Sequence, residues 1–268
     1  ERDNGRGDVR RTTFNYVNAK YDYENRRPLG FETVSAHLPA IIGETSGPDI
    51  ITTYINDHIG EKGRVKSQIY VHSGVTYKQT INEWVKVLNG KGPYKVSKVS
   101  VREKTGFTNG ISETKQTISR NDYGEVVTSI DYGFAPNGVD ANSNDNIITH
   151  FSYAPNLSDY IVNKPYRKRV ETGSTLSSIS GSRATWLSLT EYKYDEPGQN
   201  CQTTSYNGLT VPPVHGNLTA ASSWSGNLNT GQSIDLIEQI RAVHDTHGNT
   251  ICQKNARGKS TTSSYDPA

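Results

Sequence analysis

Several groups of residues in this chain have types and spacings that could do chemistry, and each has a plainer reading. Asp140-x-Asn142-x-Asn144 opens like an oxygen-rich calcium loop. The glycine such a loop needs is replaced by Asp145 and the closing glutamate by Phe151, so the sharp turn and the bidentate ligand are both missing. His244, His247 and Cys252 could offer nitrogen and sulfur to a metal, but they fall on a turn and a strand and make no tetrahedral set; the histidines read as exposed turn residues. Cys201 has no Cys–His companion motif, and no serine sits in a Gly-x-Ser-x-Gly elbow, so nucleophilic catalysis has no support. Asp22 and Glu24 would share one strand face, as a glycosidase pair might, yet without a cleft they read as solvated side chains. Arg6-Gly7-Asp8 reads as a loop tripeptide, and Lys164, Arg167, Lys168 and Arg169 as a solvated strand edge. Tyr192, Tyr194 and Tyr265 could stack on a sugar or a base; in a repeated sheet such rings pack across strands instead. The expectation is a chain that is not an enzyme and holds no metal or cofactor.

The elements that carry these residues read as strands. Thr12 to Val17, Tyr21 to Glu24 and Gly30 to Val34 alternate apolar and polar residues, which means one buried face and one wet face. Ile50 to Ile59 fits a strand or a short helix equally. Val65 to Val71 leads to a hairpin turn at Ser73-Gly74, and a second hairpin spans Ile81 to Val101 around Asn89-Gly90-Lys91-Gly92-Pro93. Beyond Gly106 a rhythm sets in: Asn121-x-x-Gly124, Asp195-x-x-Gly198, Asp245-x-x-Gly248 and Asn255-x-x-Gly258. An Asx side chain caps its own turn and glycine takes the left-handed position that closes it. Strand-like runs follow two of these turns, Glu125 to Ile130 and Lys259 to Tyr265, as in a meandering sheet built by repetition. Ser233 to Val243 fits helix and strand almost equally, and the turn at Asp245 to Gly248 favours a strand. Thr172 to Arg183 and Asn137 to Asn146 read as loops.

Composition agrees. Ile, Val and Thr make up 65 of 268 residues, and Met is absent, which favours an all-β fold. A net charge of +2 with 16 Tyr and 3 Trp separates the chain from disordered sequences and gives no basic field for nucleic acid. No apolar run is long enough to span a membrane as a helix. Cys201 and Cys252 are too few for a disulfide framework and could pair in an oxidising compartment. Without a methionine, the residues read as a piece of a longer polypeptide.

Tyr194-Asp195-Glu196-Pro197-Gly198 resembles a YD repeat of the Rhs superfamily, and so does the run from His244-Asp245-Thr246-His247-Gly248-Asn249-Thr250 through Ala256-Arg257-Gly258 to Tyr265-Asp266-Pro267. His244 stands for the family's Tyr and Asn255 for its Asp. Tyr16 to Asp22 with Gly30 to Val34, Tyr153-Ala154-Pro155-Asn156, Tyr160 to Pro165 and His215-Gly216-Asn217-Leu218-Thr219 are similar to segments of the B component of insecticidal toxin complexes.

The resemblance implies a spiral β-sheet of antiparallel, hairpin-connected strands, with residues 1–105 as its N-terminal strands and 106–268 as the repeat-bearing continuation. It implies a secreted, non-catalytic shell segment that encloses a C-terminal toxin or effector polypeptide. The partners would be the rest of the shell, its cargo, other toxin-complex components or further copies of the chain. The repeat turns would rest on Asn121, Gly124, Tyr194, Asp195, Gly198, Asp245, Gly248, Asn249, Asn255, Gly258, Tyr265 and Asp266. The family's self-cleaving Asp-Pro-Gly core is absent; Asp266-Pro267-Ala268 does not match it, so no catalytic residue carries over. The alternative is an extracellular adhesion or filament module built from the same repeats.

Overall fold

The structure, a computed structural model, describes residues 2–3, 9–41, 44–87, 95–107, 110–179, 183–195, 201, 212–226 and 234–265. Among these residues the regular structure is β, apart from one 3-10 turn at Pro136–Gly138. Two short strands, β1 (Arg2–Asp3) and β2 (Val9–Arg10), pair with each other. The remaining strands are β3 (Thr13–Asp22), β4 (Arg27–His37), β5 (Asp49–Ile55), β6 (Arg64–His72), β7 (Val75–Val87), β8 (Lys95–Phe107), β9 (Gly110–Arg120) and β10 (Val126–Phe134), followed by β11 (Ile147–Tyr153), β12 (Pro165–Thr172), β13 (Trp186–Tyr194), β14 (Leu218–Trp224), β15 (Leu236–His244), β16 (Thr250–Asn255) and β17 (Ser260–Thr262).

These fifteen strands form one open antiparallel sheet in which each strand neighbours the next in sequence. The all-β class expected from composition, the meander expected from the turn rhythm and the antiparallel, hairpin-connected strands implied by the resemblance are therefore the fold. The two ambiguous stretches resolve as strands β5 and β15, because each pairs on both sides. At the β6–β7 turn Ser73 and Gly74 both have positive φ, 49° and 77°, which is the two-residue hairpin geometry that matches strand twist. Asn89 to Pro93 lie outside the described residues.

The chain divides into two units, residues 1–118 with 131–142, and residues 119–130 with 143–268. Little apolar core forms in either. Much of what is buried is polar. In the first unit Asn56 is 2% exposed and donates to the Asn18 and Gly30 carbonyls, while Glu113, 3% exposed, meets Arg102 and Lys104 and accepts from the Asn137 N–H. A sheet with water close to both faces holds its strands by ladder hydrogen bonds and cross-strand pairs rather than by a deep interior.

Among the described residues nine pairings also carry a register shift. Each such bulge pins the register and adds local twist.

Candidate functional site

Three turns repeat one geometry. At Asn121, Asp245 and Asn255 the side-chain Oδ1 accepts the N–H groups two and four residues on. The donors are Tyr123 and Glu125 (both 3.0 Å), His247 and Asn249 (both 2.9 Å), and Arg257 and Lys259 (3.0 and 3.1 Å). The N–H of the glycine three residues on reaches the Asx carbonyl, from Gly124, Gly248 and Gly258, at φ of 90°, 83° and 75°. The Asx N–H then donates to the carbonyl of the first residue past the turn. Asn249 adds a side-chain bond to Asp245 at 3.0 Å. Each turn thus satisfies its own polar groups, which is why so short a motif is legible in sequence.

The fourth turn is split. The Asp195 N–H donates to the Asn217 carbonyl at 3.0 Å, and the Asn217 N–H returns to Asp195 Oδ1 at 2.9 Å, the same reciprocal pair seen in the other three. Asp195 Oδ2 accepts the N–H groups of Val214, His215 and Gly216 at 2.8, 2.8 and 2.7 Å. Gly216 has φ 79°, the conformation of the closing glycines elsewhere. His215-Gly216-Asn217 therefore supplies the half of the turn that His247-Gly248-Asn249 supplies after Asp245, and residues 196–213 are an insertion inside a single turn. Gly198, which the spacing pairs with Asp195, lies outside the described residues, as does Asp266. The signal that could have found Gly216 is the recurrence of His-Gly-Asn.

Two described residues between Asp195 and Val214 contact distant parts of the chain. Pro213 is fully buried and its carbonyl accepts from Asn156 Nδ2 at 2.8 Å. Cys201 is disulfide-bonded to Cys252 of β16, with Cα atoms 6.1 Å apart, inside the span a disulfide bridges without moving backbone.

Burial pushes the Asp195 carboxyl upward, but the four backbone N–H groups outweigh it and hold the group below the ordinary 3.8. A folded value below the unfolded one means the contribution is complete above the unfolded pKa and is lost as pH falls through the folded pKa. Asp195→Ala and Asp195→Asn are both expected to cost about 2 kcal/mol, because the amide turns an NH₂ toward N–H donors and strands them. Chemical denaturation, with amide exchange at Val214 to Asn217, checks this; wild-type protection in Asp195→Asn would overturn it.

Aromatic residues mark the strand ends that lead into the turns. Register shifts fall immediately before Tyr21, Tyr153, Tyr194 and His244. Tyr153, Tyr194 and Tyr265 donate their hydroxyls to the backbone carbonyls of Val126, Pro165 and Thr250 at 3.0, 3.0 and 3.1 Å. Burial raises the Tyr153 hydroxyl and lifts that of Tyr194 to about 12, so both remain donors at neutral pH. Tyr153 belongs to this set although no Asp follows it.

Two sequence readings need correction. Asp22 ends β3 while Glu24 lies in the following turn, so they do not share a strand face. Asp22 instead accepts from the Asn25 N–H and side chain at 3.0 and 2.8 Å, and the Asn25 N–H is the main reason its carboxyl is held low. The basic run is no solvated edge either. β12 lies between β11 and β13, Arg167 pairs with Glu191, and Arg169 is 4% exposed.

The guanidinium of Arg169 stands 5.2 Å from the Trp186 ring and donates to the Ser177 carbonyl at 2.6 Å. Beside it Glu171, with no exposure, accepts from the Ser177 N–H at 2.7 Å, from the Ser177 hydroxyl and from Thr185. Trp186 Nε1 donates to Ser177 Oγ at 3.0 Å. This polar cluster fastens the segment after β12 onto the sheet. Burial first, then Arg169, keeps the imidazole of His150 below its usual value and therefore neutral.

Of the other sequence candidates, Asp140 caps its own loop through the Asn142 N–H at 3.0 Å. His247 is exposed in its turn, whereas His244 ends β15 half-buried. Arg6, Gly7 and Asp8 lie outside the described residues.

No family model matches the chain, and no curated protein matches it. Among solved structures it is similar to the Photorhabdus luminescens Tc holotoxin pore at 11% identity and a TM-score of 0.57, covering 95% of this chain and 19% of that one. It is similar to TcdB2-TccC3-Cdc42 at 12% identity and a TM-score of 0.61, covering 95% and 20%. A third likeness is to TcdB2-TccC3 without its hypervariable C-terminal region, at 12% identity, a TM-score of 0.57 and the same coverage. The chain has the fold of these toxin-complex chains and spans about a fifth of their length.

Proposed function

We propose that this chain is a segment of an Rhs/YD-repeat shell, structural and non-catalytic in itself, whose sheet helps to enclose a C-terminal toxin or effector polypeptide in a secreted toxin complex. The observation that carries the reading is the sequential fifteen-strand meander, alike over 95% of its length to TcdB2-TccC3 chains, one of which is described as lacking a hypervariable C-terminal region. Residues 1–105 are its N-terminal strands and 106–268 the repeat-bearing continuation of the same wall. The turns are built for that role: they close hairpins internally and leave the two faces of the sheet to water or to whatever is enclosed. Its partners are the rest of the shell, the enclosed polypeptide and the other components of the complex.

A second reading has one observation in its favour. β3 is exposed along nearly its whole length and shows Phe14 and Tyr16 to solvent, an edge that could join copies into a filament or adhesive layer by strand addition.

Denaturing mass spectrometry of the polypeptide in its source distinguishes the two. A species several times 29.6 kDa, or a cleaved set of which this is one part, is expected for the shell. A mass near 29.6 kDa found only in large assemblies would overturn it in favour of the filament.

A further inference from the structure

Strands β6 and β7 pair from His72 and Val75 as far as Ser67 and Ile81, and then part. Beyond that point β6 stays with β5, Val65 opposite Tyr54 and Arg64 opposite Ile55. β7 stays with β8, Trp84 opposite Lys98 and onward to Val87. The Val65 carbonyl takes two side-chain donors, Asn82 Nδ2 at 3.1 Å and Trp84 Nε1 at 3.0 Å. Arg64 and Lys98 hold the Trp84 ring, 5.2 and 5.4 Å from its centroid. Between the parted strands and the end of β5 lies a cleft of about 370 Å³, at the small end of the range of ligand sites, about 300–1,000 Å³. Asn82, Glu83 and Trp84 all line it. The β7–β8 register shifts between Glu83 and Trp84, and an irregularity of that kind re-aims side chains, so that neighbours along β7 can line one cleft.

The lining has unused bonding capacity. Asn82 is 7% exposed and its Oδ1 has no partner. Lys66, Glu83 and the Tyr54 hydroxyl make no hydrogen bond or ion pair with the described residues, and all three border the cleft. Around it Lys20 is ion-paired with Asp57 and Glu32 accepts from Asn18 Nδ2 at 3.0 Å, while Lys66 and Glu83 face the cleft with opposite charge. With Lys20 and Asp57 joined to each other, a phosphate or sulfate would still meet Glu32 and Glu83, a cation would still meet Lys66, and an apolar ligand would strand polar groups of both kinds. Sugar hydroxyls each donate and accept, so adjacent hydroxyls can serve an ammonium and a carboxylate at once, while Ile55 offers apolar surface to the C–H groups of the ring.

We propose that the parting of β6 and β7 forms a binding site for a neutral sugar residue of a glycan. The site lies within the first unit and does not depend on the shell reading. The test titrates the folded protein with lactose, maltotriose, mannotriose and chitotriose, using inorganic phosphate as the contrasting probe, by saturation-transfer NMR and calorimetry.

At least one neutral oligosaccharide is expected to bind, with phosphate weaker. Affinity is expected to fall about tenfold or more in the Lys66→Ala/Glu83→Ala double variant. Both side chains are exposed, so melting should not change. Tyr54→Phe is the independent second variant and should weaken binding without unfolding. Binding by none of the sugars, equal binding by both variants, or tighter binding of phosphate than of any sugar would each overturn the proposal. A sugar site confirmed on a protein shown to be filamentous would leave this proposal standing while removing the shell.

Discussion

Replacing Glu171 by alanine is expected to lower the unfolding free energy by about 3–5 kcal/mol, because it leaves a buried guanidinium without its carboxylate. Glu171 has no exposure and Arg169 only 4%. Their charged atoms stand 3.6 Å apart. The carboxylate also holds the Ser177 N–H and hydroxyl, and Thr185, so its loss strands donors as well as a charge. For a chain of this size the change corresponds to roughly 10 °C in Tm. Chemical denaturation and calorimetry of Glu171→Ala measure it.

An Arg169→Met/Glu171→Leu double variant supplies the decisive comparison and keeps the test open should Glu171→Ala fail to fold. Replacing both partners by apolar groups removes the unpaired charge, so the double variant is expected to be more stable than Glu171→Ala. A Glu171→Ala cost below about 1 kcal/mol, or a double variant less stable than Glu171→Ala, would show that the pair does not fasten the segment after β12.

The second large effect belongs to the disulfide. Cys201 and Cys252 are 51 residues apart, and closing a loop of that length removes unfolded-state entropy worth about 4 kcal/mol in the chain-entropy account. Cys201→Ser/Cys252→Ser, or reduction of the native chain, is therefore expected to destabilise the second unit by about 2–4 kcal/mol. The Asp195 turn should persist, since its N–H donors come from Val214 to Asn217 and not from the bonded cysteine. Thiol titration in denaturant checks the premise, with no free thiol before reductant and two after it. Two free thiols in unreduced protein, or denaturation curves that ignore reductant, would remove the bond and its stabilisation together.

These effects show where sequence is legible. The turns at Asn121, Asp245 and Asn255 could be read directly because donor and acceptor lie within four residues of one another, so the motif contains its own interaction partners. The all-β class was legible for a similar reason: β-branched residues and half-buried alternation act strand by strand, and where the turn is short, as between β6 and β7 or β15 and β16, consecutive strands have nowhere to go but beside each other. Even the completed half of the split turn left a trace, His215-Gly216-Asn217 echoing His247-Gly248-Asn249.

What the sequence could not place was decided by partners distant along the chain. Asp195 receives its donors about twenty residues on. Asn156 reaches Pro213 across 57 residues. Arg169 looks like a surface cation in a basic run and becomes buried only once the segment carrying Ser177 folds back and Trp186 comes alongside. Nor does any residue type mark the place where β6 leaves β7, since that follows from which neighbour each strand keeps. Local chemistry settled the strands and their turns; burial, charge pairing and the gap between strands are properties of segments brought together, and only the tertiary structure fixes which segments meet.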